Sequence, residues 1–308
     1  MKKSNILILG GNGFIGQNLA HRLANEGDMS VSVFDRAHPS IVNPNISYIE
    51  GDFFNDADLA RALEGKDCVV HALSTINPSN SNTMYARAYE KDVLQTIALC
   101  DSLRESRTEL VFLSSGGTVY GEQDAFPIPE SANPLPINHY GGLKLCLENF
   151  LRVCNRQFET KFKIARVANP YGPGQDYRKG VGFVDAVLRS ALDNTVLTVW
   201  GDGSIVRDYV HIDDVSRMLR NIIDYEGSHD TFNIGSGFGT SQNEIIEIVK
   251  AAFPDLRVRY EKERSVDVKS IVLDISRILE TDHQEPISIE KGIASYCAYL
   301  SGKEMHGA

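Results

Sequence analysis

The chain is short of cysteine, of cationic excess and of long apolar runs. Its five cysteines, Cys68, Cys100, Cys146, Cys154 and Cys297, show neither metal-ligand pair spacing nor an even count. That argues against a disulfide framework and predicts reduced, packed thiols. The eight histidines show no metal-ligand spacing either, so no metal is expected. Lysine and arginine total 31 against 41 aspartates and glutamates, a net charge of −10 with a pI near 5.3. An acidic surface repels nucleic acid and anionic membranes, so neither is an expected partner. An anionic substrate would have to meet a local basic pocket. No apolar stretch approaches the roughly 18 residues of a membrane span. The run Ile6 to Leu9, behind Lys2 and Lys3, stops at Gly10 and Gly11, too soon for a signal core. A cytoplasmic protein is expected. Internal repeats, low-complexity tracts and long linkers are missing as well.

What is present is core-forming material, with 42% of 308 residues hydrophobic. Short apolar runs at Asn5 to Leu9, Val31 to Phe34, Ile46 to Ile49, Cys68 to Ala72, Leu110 to Leu113 and Phe162 to Val167 read as buried parallel strands. Between them, Phe14 to Ala24, Asp56 to Leu63, Tyr85 to Leu103 and Tyr140 to Phe150 carry apolar residues at helical spacing. Alternation of this kind predicts an α/β fold, a Rossmann-type doubly wound parallel sheet over residues 1–169. Pro170, Gly172, Pro173 and Gly174 then interrupt regular structure. A smaller C-terminal α+β lobe is expected over 170–205 and 234–308, with a return to the first lobe at 206–233.

Gly10-Gly11-Asn12-Gly13-Phe14-Ile15-Gly16 follows the first strand and opens the first helix. Gly13 would let backbone approach a pyrophosphate, Gly16 would let helix pack on strand, and the helix N-terminus supplies unpaired N–H groups. Asp35 lies at the end of the second strand, where a carboxylate can accept both ribose hydroxyls, which favours NAD. Arg36 follows and is suited to a 2′-phosphate, so NADP stays open.

Tyr140 and Lys144 are four residues apart and share one helix face. A tyrosine with a pKa near 10 is a poor base at neutral pH, and a nearby ammonium is expected to lower that value. Tyr140 would then exchange a proton with a hydroxyl, while Lys144 fixes the cofactor ribose. The preceding strand ends in Leu113-Ser114-Ser115-Gly116-Gly117-Thr118-Val119-Tyr120-Gly121, a small-residue loop that admits a ligand.

Together with Asn169-Pro170-Tyr171-Gly172 and Arg207-Asp208-Tyr209-Val210-His211, these segments resemble extended short-chain dehydrogenases/reductases, especially the branch of UDP-glucose 4-epimerase and related nucleotide-sugar epimerases and reductases. The resemblance spans nearly the whole chain. It implies a nucleotide-sugar substrate, UDP- or dTDP-linked, and a homodimer formed through helices such as Tyr85 to Leu103 and Tyr140 to Phe150. It implies that Phe14, Ile15, Asp52, Phe53, Ala72, Leu73 and Ser74 border the cofactor, with Asp52 near the adenine amino group. It also implies that Asn169 hydrogen-bonds substrate, that Arg207 and Arg264 hold its pyrophosphate, and that Trp200 stacks on the uracil. His211 would support structure.

Dehydratases of this family carry an Asp-Glu pair before the Val-Tyr-Gly of the loop, and decarboxylases a glutamate; here Gly117 and Thr118 stand there. Without an acid to protonate a leaving hydroxyl, both classes are disfavoured. A 4-epimerase and an NAD(P)H-dependent 4-keto reductase remain, the former favoured, with a non-catalytic dinucleotide-sensing protein as a third reading. The epimerase pattern has a third serine where this chain has Gly116, so Thr118, then Ser115, become candidates for the missing hydroxyl. Tolerance of an N-acetyl group would depend on the volume near Ser74 to Asn77 and Ile271.

Overall fold

The computed structural model describes residues 4–39, 42–176, 182–262 and 268–302. Seven strands form one parallel sheet: β1 (Asn5–Leu9), β2 (Ser30–Asp35), β3 (Ile46–Glu50), β4 (Cys68–His71), β5 (Glu109–Ser115), β6 (Phe162–Val167) and β10 (Thr231–Ile234). Their spatial order is β10-β6-β5-β4-β1-β2-β3. From β1 the chain winds outward through β2 and β3, then restarts at β4 on the other side of β1 and winds away through β5 and β6. The β1/β4 junction is therefore the switch point, and ligands of such sheets bind beyond the carboxyl ends of the strands there.

Side-chain alternation along the strands divides the core. Ile6 and Ile8 face one side with Leu19 and Leu23 of helix α1 (Phe14–Glu26) and Val215 and Leu219 of α7 (Ile212–Asp224). Leu7 and Leu9 face the other, with Leu59 of α2 (Asp56–Leu63), Leu99 and Leu103 of α3 (Ser81–Ser106), and Leu147 and Leu151 of α5 (His139–Phe158). Burying each such leucine stabilises the fold by about 1.5–3 kcal/mol. The helices begin where the sequence offers caps: the Asn55 side chain accepts the N–H groups of Ala57 and Asp58, and that of Asn138 accepts Gly141 N–H at 2.8 Å.

A four-residue helix α4 (Gly116–Val119) follows β5 directly. The small strand β7 (Asn169–Tyr171) pairs with β9 (Val206–His211), which also pairs with β11 (Gly239–Ser241) and β13 (Ser270–Ile271). Beside this lie α6 (Phe183–Leu192), β8 (Val196–Trp200), α8 (Gln242–Ala252) and β12 (Arg257–Glu261), with α9 (Ser276–Leu279) and α10 (Ile289–Leu300) closing the chain. Strands β8 and β12 pair in parallel. Val184, Leu188, Leu197, Ile245, Val249, Ile293 and Tyr296 form a core of their own here. In the segment expected to return, α7 packs on α1 and β10 pairs with β6, whereas β9 stays in the small sheet.

Candidate active site

The glycine turn rises from β1. Gly10 has φ +79, a left-handed backbone suited to glycine, and the first bond of α1 runs from Gln17 N–H to Gly13 carbonyl. Gly13 caps the helix without a side chain, so the N–H groups of its first turn have no intrahelical acceptor. A Cβ on Gly16 would lie 2.5 Å from the Gly10 carbonyl oxygen and 2.8 Å from Gly11 Cα. The turn is therefore a close-packed cradle in front of the uncapped N–H groups of the first turn of α1, which fits a dinucleotide pyrophosphate.

Two clefts lie at the carboxyl ends of the strands. The first, about 690 Å³ in volume, is walled in part by Asp35, Arg36, Asp52, Phe53, Leu73, Ser74 and Lys144. Asp35 is already oriented there, one carboxylate oxygen accepting Asn12 N–H at 3.1 Å and the other Arg36 N–H at 2.8 Å. Ala72 belongs to the adjoining strand end, where its N–H bonds the Leu9 carbonyl. The chemistry of this cleft suits an adenosine, with a carboxylate able to accept ribose hydroxyls and aromatic walls in Phe34 and Phe53.

The second cleft, about 1240 Å³, brings together Phe14, Ile15, Ser115, Thr118, Tyr140, Asn169 and Arg207. Among the described residues that line it, Arg207 is the one charged side chain. Asn169 is held by a bond from its amide to the Asp208 carbonyl at 3.2 Å. Thr118 Oγ1 is buried with no hydrogen-bond partner. Trp200 does not line either cleft; it ends β8 with 43% of its surface exposed. Arg264 lies outside the described residues.

Gly141 explains how Tyr140 reaches the loop: a Cβ there would meet the Thr118 carbonyl oxygen at 2.4 Å, so only glycine lets α5 approach α4 this closely. Gly116 has a matching explanation. A Cβ at that position would lie 2.5 Å from Leu273 and 3.0 Å from the Arg166 carbonyl, so the space of the family's third serine is filled from the C-terminal part of the chain.

Lys144 is buried, donates to the Leu113 carbonyl at 2.8 Å and lies 4.7 Å from the Phe112 ring centroid and 5.7 Å from that of Tyr140. Burial brings its ammonium down to about 8, against the attraction of Asp92 and Glu148. The expected lowering of Tyr140 is corrected. Burial, with the Asp92 carboxylate second, pushes its phenol up to about 12, and the ammonium does not offset this from its place on Leu113. Beneath the pair, Glu148 accepts Ser114 Oγ at 2.5 Å and forms a buried ion pair with Arg166 at 2.6 Å and a second with Arg152 at 2.9 Å. His71, also buried in the first cleft, accepts Leu73 N–H at Nδ1 and meets Thr96 Oγ1 at Nε2, 3.2 Å away. Burial brings it down to about 3, so the ring is neutral.

Sequence reasoning passed over Asp92, His71 and Thr96 in the first cleft and Gln175 and Gln242 in the second. For Asp92 a signal existed: Ala88, Asp92 and Thr96 recur every four residues along α3, and the flanking pair is uncharged and small.

A Rossmann sheet with a glycine cradle that fits a pyrophosphate, a cleft that suits adenosine, and a Tyr-Lys pair of which Lys144 lines the first cleft and Tyr140 the second is the equipment of a dinucleotide-dependent oxidoreductase or isomerase. The NAD dependent epimerase/dehydratase family model matches residues 6–235, and the chain belongs to that family. It is 28% identical to UDP-glucose 4-epimerase of Mycolicibacterium smegmatis, over 96% of this chain and 98% of the relative. It is 27% identical to dTDP-4-dehydro-6-deoxyglucose reductase of Escherichia coli, over 95% and 96% respectively. The crystal structure of UDP-glucose 4-epimerase with UDP-glucose from Thermotoga maritima superposes with a TM-score of 0.89 at 30% identity, covering 97% of this chain and 99% of that one. The chain is an NAD-dependent enzyme of the group that holds sugar epimerases, dehydratases and reductases. Among the described helices none is long and apolar enough to cross a membrane, and no described group of His, Cys, Asp and Glu is arranged to hold a metal.

Proposed function

We propose that the chain is a nucleotide-sugar 4-epimerase of the UDP-glucose 4-epimerase type, inverting C4 of a UDP-hexose through a transient 4-keto sugar. The observation that carries this reading is the lining of the second cleft: the Tyr140, Tyr171 and Tyr209 phenols, the Ser114, Ser115 and Thr118 hydroxyls and one cation, Arg207, with no carboxylate among the described lining residues. Elimination of water or carbon dioxide needs a placed acid or base that this wall lacks, whereas exchange of one proton at a hydroxyl needs only Tyr140. NAD, when bound, supplies reversible hydride acceptance. Tyr140 takes the proton of the C4 hydroxyl and returns it, and Thr118 or Ser115 shares that proton. Arg207 supplies the local positive charge for the pyrophosphate that an otherwise acidic surface would repel.

Residues 1–169, with α7 and β10, serve the cofactor in this reading, and 170–205 with the chain beyond 234 serves the nucleotide sugar. Asn169 faces the sugar; Trp200 and Arg264 keep their uracil and pyrophosphate roles on the resemblance alone. A homodimer through α3 and α5 is supported by Leu94, 64% exposed, and Val153, 52% exposed, on those helices. Five cysteine thiols, three of them buried, support residence in the reducing cytoplasm.

The second reading, reduction of a dTDP- or UDP-linked 4-keto-6-deoxyhexose, is favoured by the Escherichia coli reductase relative and uses the same Tyr140 and Lys144. Chromatography separates the two. UDP-glucose and UDP-N-acetylglucosamine are each incubated with purified protein without added cofactor. A C4 epimer supports the epimerase; no product from either, with turnover of a 4-keto-6-deoxy nucleotide sugar on added NAD(P)H, supports the reductase. Tyr140→Phe is expected to lower turnover by about 10²–10⁴-fold, and unchanged turnover would sink the catalytic assignment.

A further inference from the structure

Asp92 sits in the middle of α3, 6% exposed. One oxygen, Oδ2, accepts Thr75 N–H at 2.9 Å and Ser74 Oγ–H at 3.2 Å. The other, Oδ1, is buried with no hydrogen-bond partner, as is the neighbouring Thr75 Oγ1. Both residues line the first cleft beside Lys144. A buried carboxylate oxygen without a donor costs free energy that the fold does not recover, and in a cleft such a group points to a functional task.

The charges around Tyr140 and Lys144 single Asp92 out. On α5, Glu148 is matched by Arg166 and Arg152. On β4, His71 is neutral. From β5 the groups are the Leu113 carbonyl and Ser114, whose hydroxyl is committed to Glu148. Asp35, Arg36 and Asp52 line the same cleft from the β2 and β3 ends. From α3, Asp92 brings a carboxylate that acts on both members of the pair.

We propose that Asp92 is a positioning residue whose buried carboxylate holds the resting pair as Tyr140 phenol and Lys144 ammonium. The proposal rests on the reading of Tyr140 as the proton-exchanging group. A nearby negative charge opposes formation of a phenolate and favours an ammonium, so both groups move the same way. The directions agree: Asp92 adds to the rise at Tyr140 and resists the fall at Lys144. Tyr140 therefore has to ionise before it takes the C4 proton, and Asp92 sets the pH at which it does.

Asp92→Asn keeps an acceptor for Thr75 and removes the charge; Asp92→Ser is a second neutral variant, and Asp92→Glu restores the charge. Near-ultraviolet difference titration of each protein against the same protein carrying Tyr140→Phe reads the ionisation of Tyr140 without turnover. The midpoint is expected to fall by about one pH unit in the neutral variants and to return in Asp92→Glu. Both limbs of the kcat/KM profile should move to lower pH with it, with kcat changing more than KM. An unmoved midpoint in the neutral variants overturns the proposal. Full turnover in Tyr140→Phe with a moved midpoint would overturn the catalytic reading instead, so the two failures are distinguishable.

Discussion

His71 shows how a single buried side chain carries a pH signature. Its ordinary value of 6.5 applies to the unfolded chain, while the folded ring, desolvated and beside Lys144, stays neutral down to about 3. Between those values unfolding takes up a proton, so the contribution of this group is complete above about pH 6.5 and is lost as pH falls toward 3. His71→Gln should therefore have a flatter loss of Tm on acidification than the wild type; parallel curves from pH 7 to 4 would refute the assignment. The residue scale is also where the sequence was least legible. Tyr140, Lys144 and Asp35 announce themselves by spacing, because each belongs to a local motif. Asp92 and His71 acquire their roles from neighbours on other elements, and the direction of the Tyr140 shift depends on where Lys144 points, which spacing does not encode.

At the scale of elements, six apolar runs and four amphipathic stretches matched six of the seven strands and helices α1, α2, α3 and α5 of the main sheet, because strands buried on both faces read as continuous apolar runs, while β10 and α7 fell in the segment read only as a return. The helix ends were legible less well: α3 begins at Ser81 and α5 runs on to Phe158, beyond the apolar stretches, since backbone hydrogen bonding carries a helix past its buried face. Strands β7, β11 and β13 are two or three residues long, too short to show a period. The glycine cradle supplies the prediction at this scale. Gly16→Ala forces backbone against backbone and should destabilise the fold by about 1–3 kcal/mol while lowering the NAD retained through purification. Cofactor released on acid denaturation, relative to protein, measures it; an unchanged ratio would mean the cradle does not hold the pyrophosphate.

The whole molecule raises the question of copies. Leu94→Glu combined with Val153→Glu places charge on the exposed apolar positions of α3 and α5, and light scattering after size exclusion should show a shift from dimer to monomer. A dimer that survives both changes would place the interface elsewhere.

Strand β10 closes the edge of the main sheet against β6, yet it is made only after β7, α6, β8, β9 and α7. During synthesis, the edge of β6 therefore waits uncovered while the chain from Val167 to Thr231 emerges, several seconds at about 5–20 residues per second. For that interval the nascent protein displays an open row of backbone donors and acceptors, the template on which strands of other chains assemble. The yield of folded enzyme in a cell is thus tied to translation speed through the second half of the chain, a kinetic exposure that the finished fold conceals.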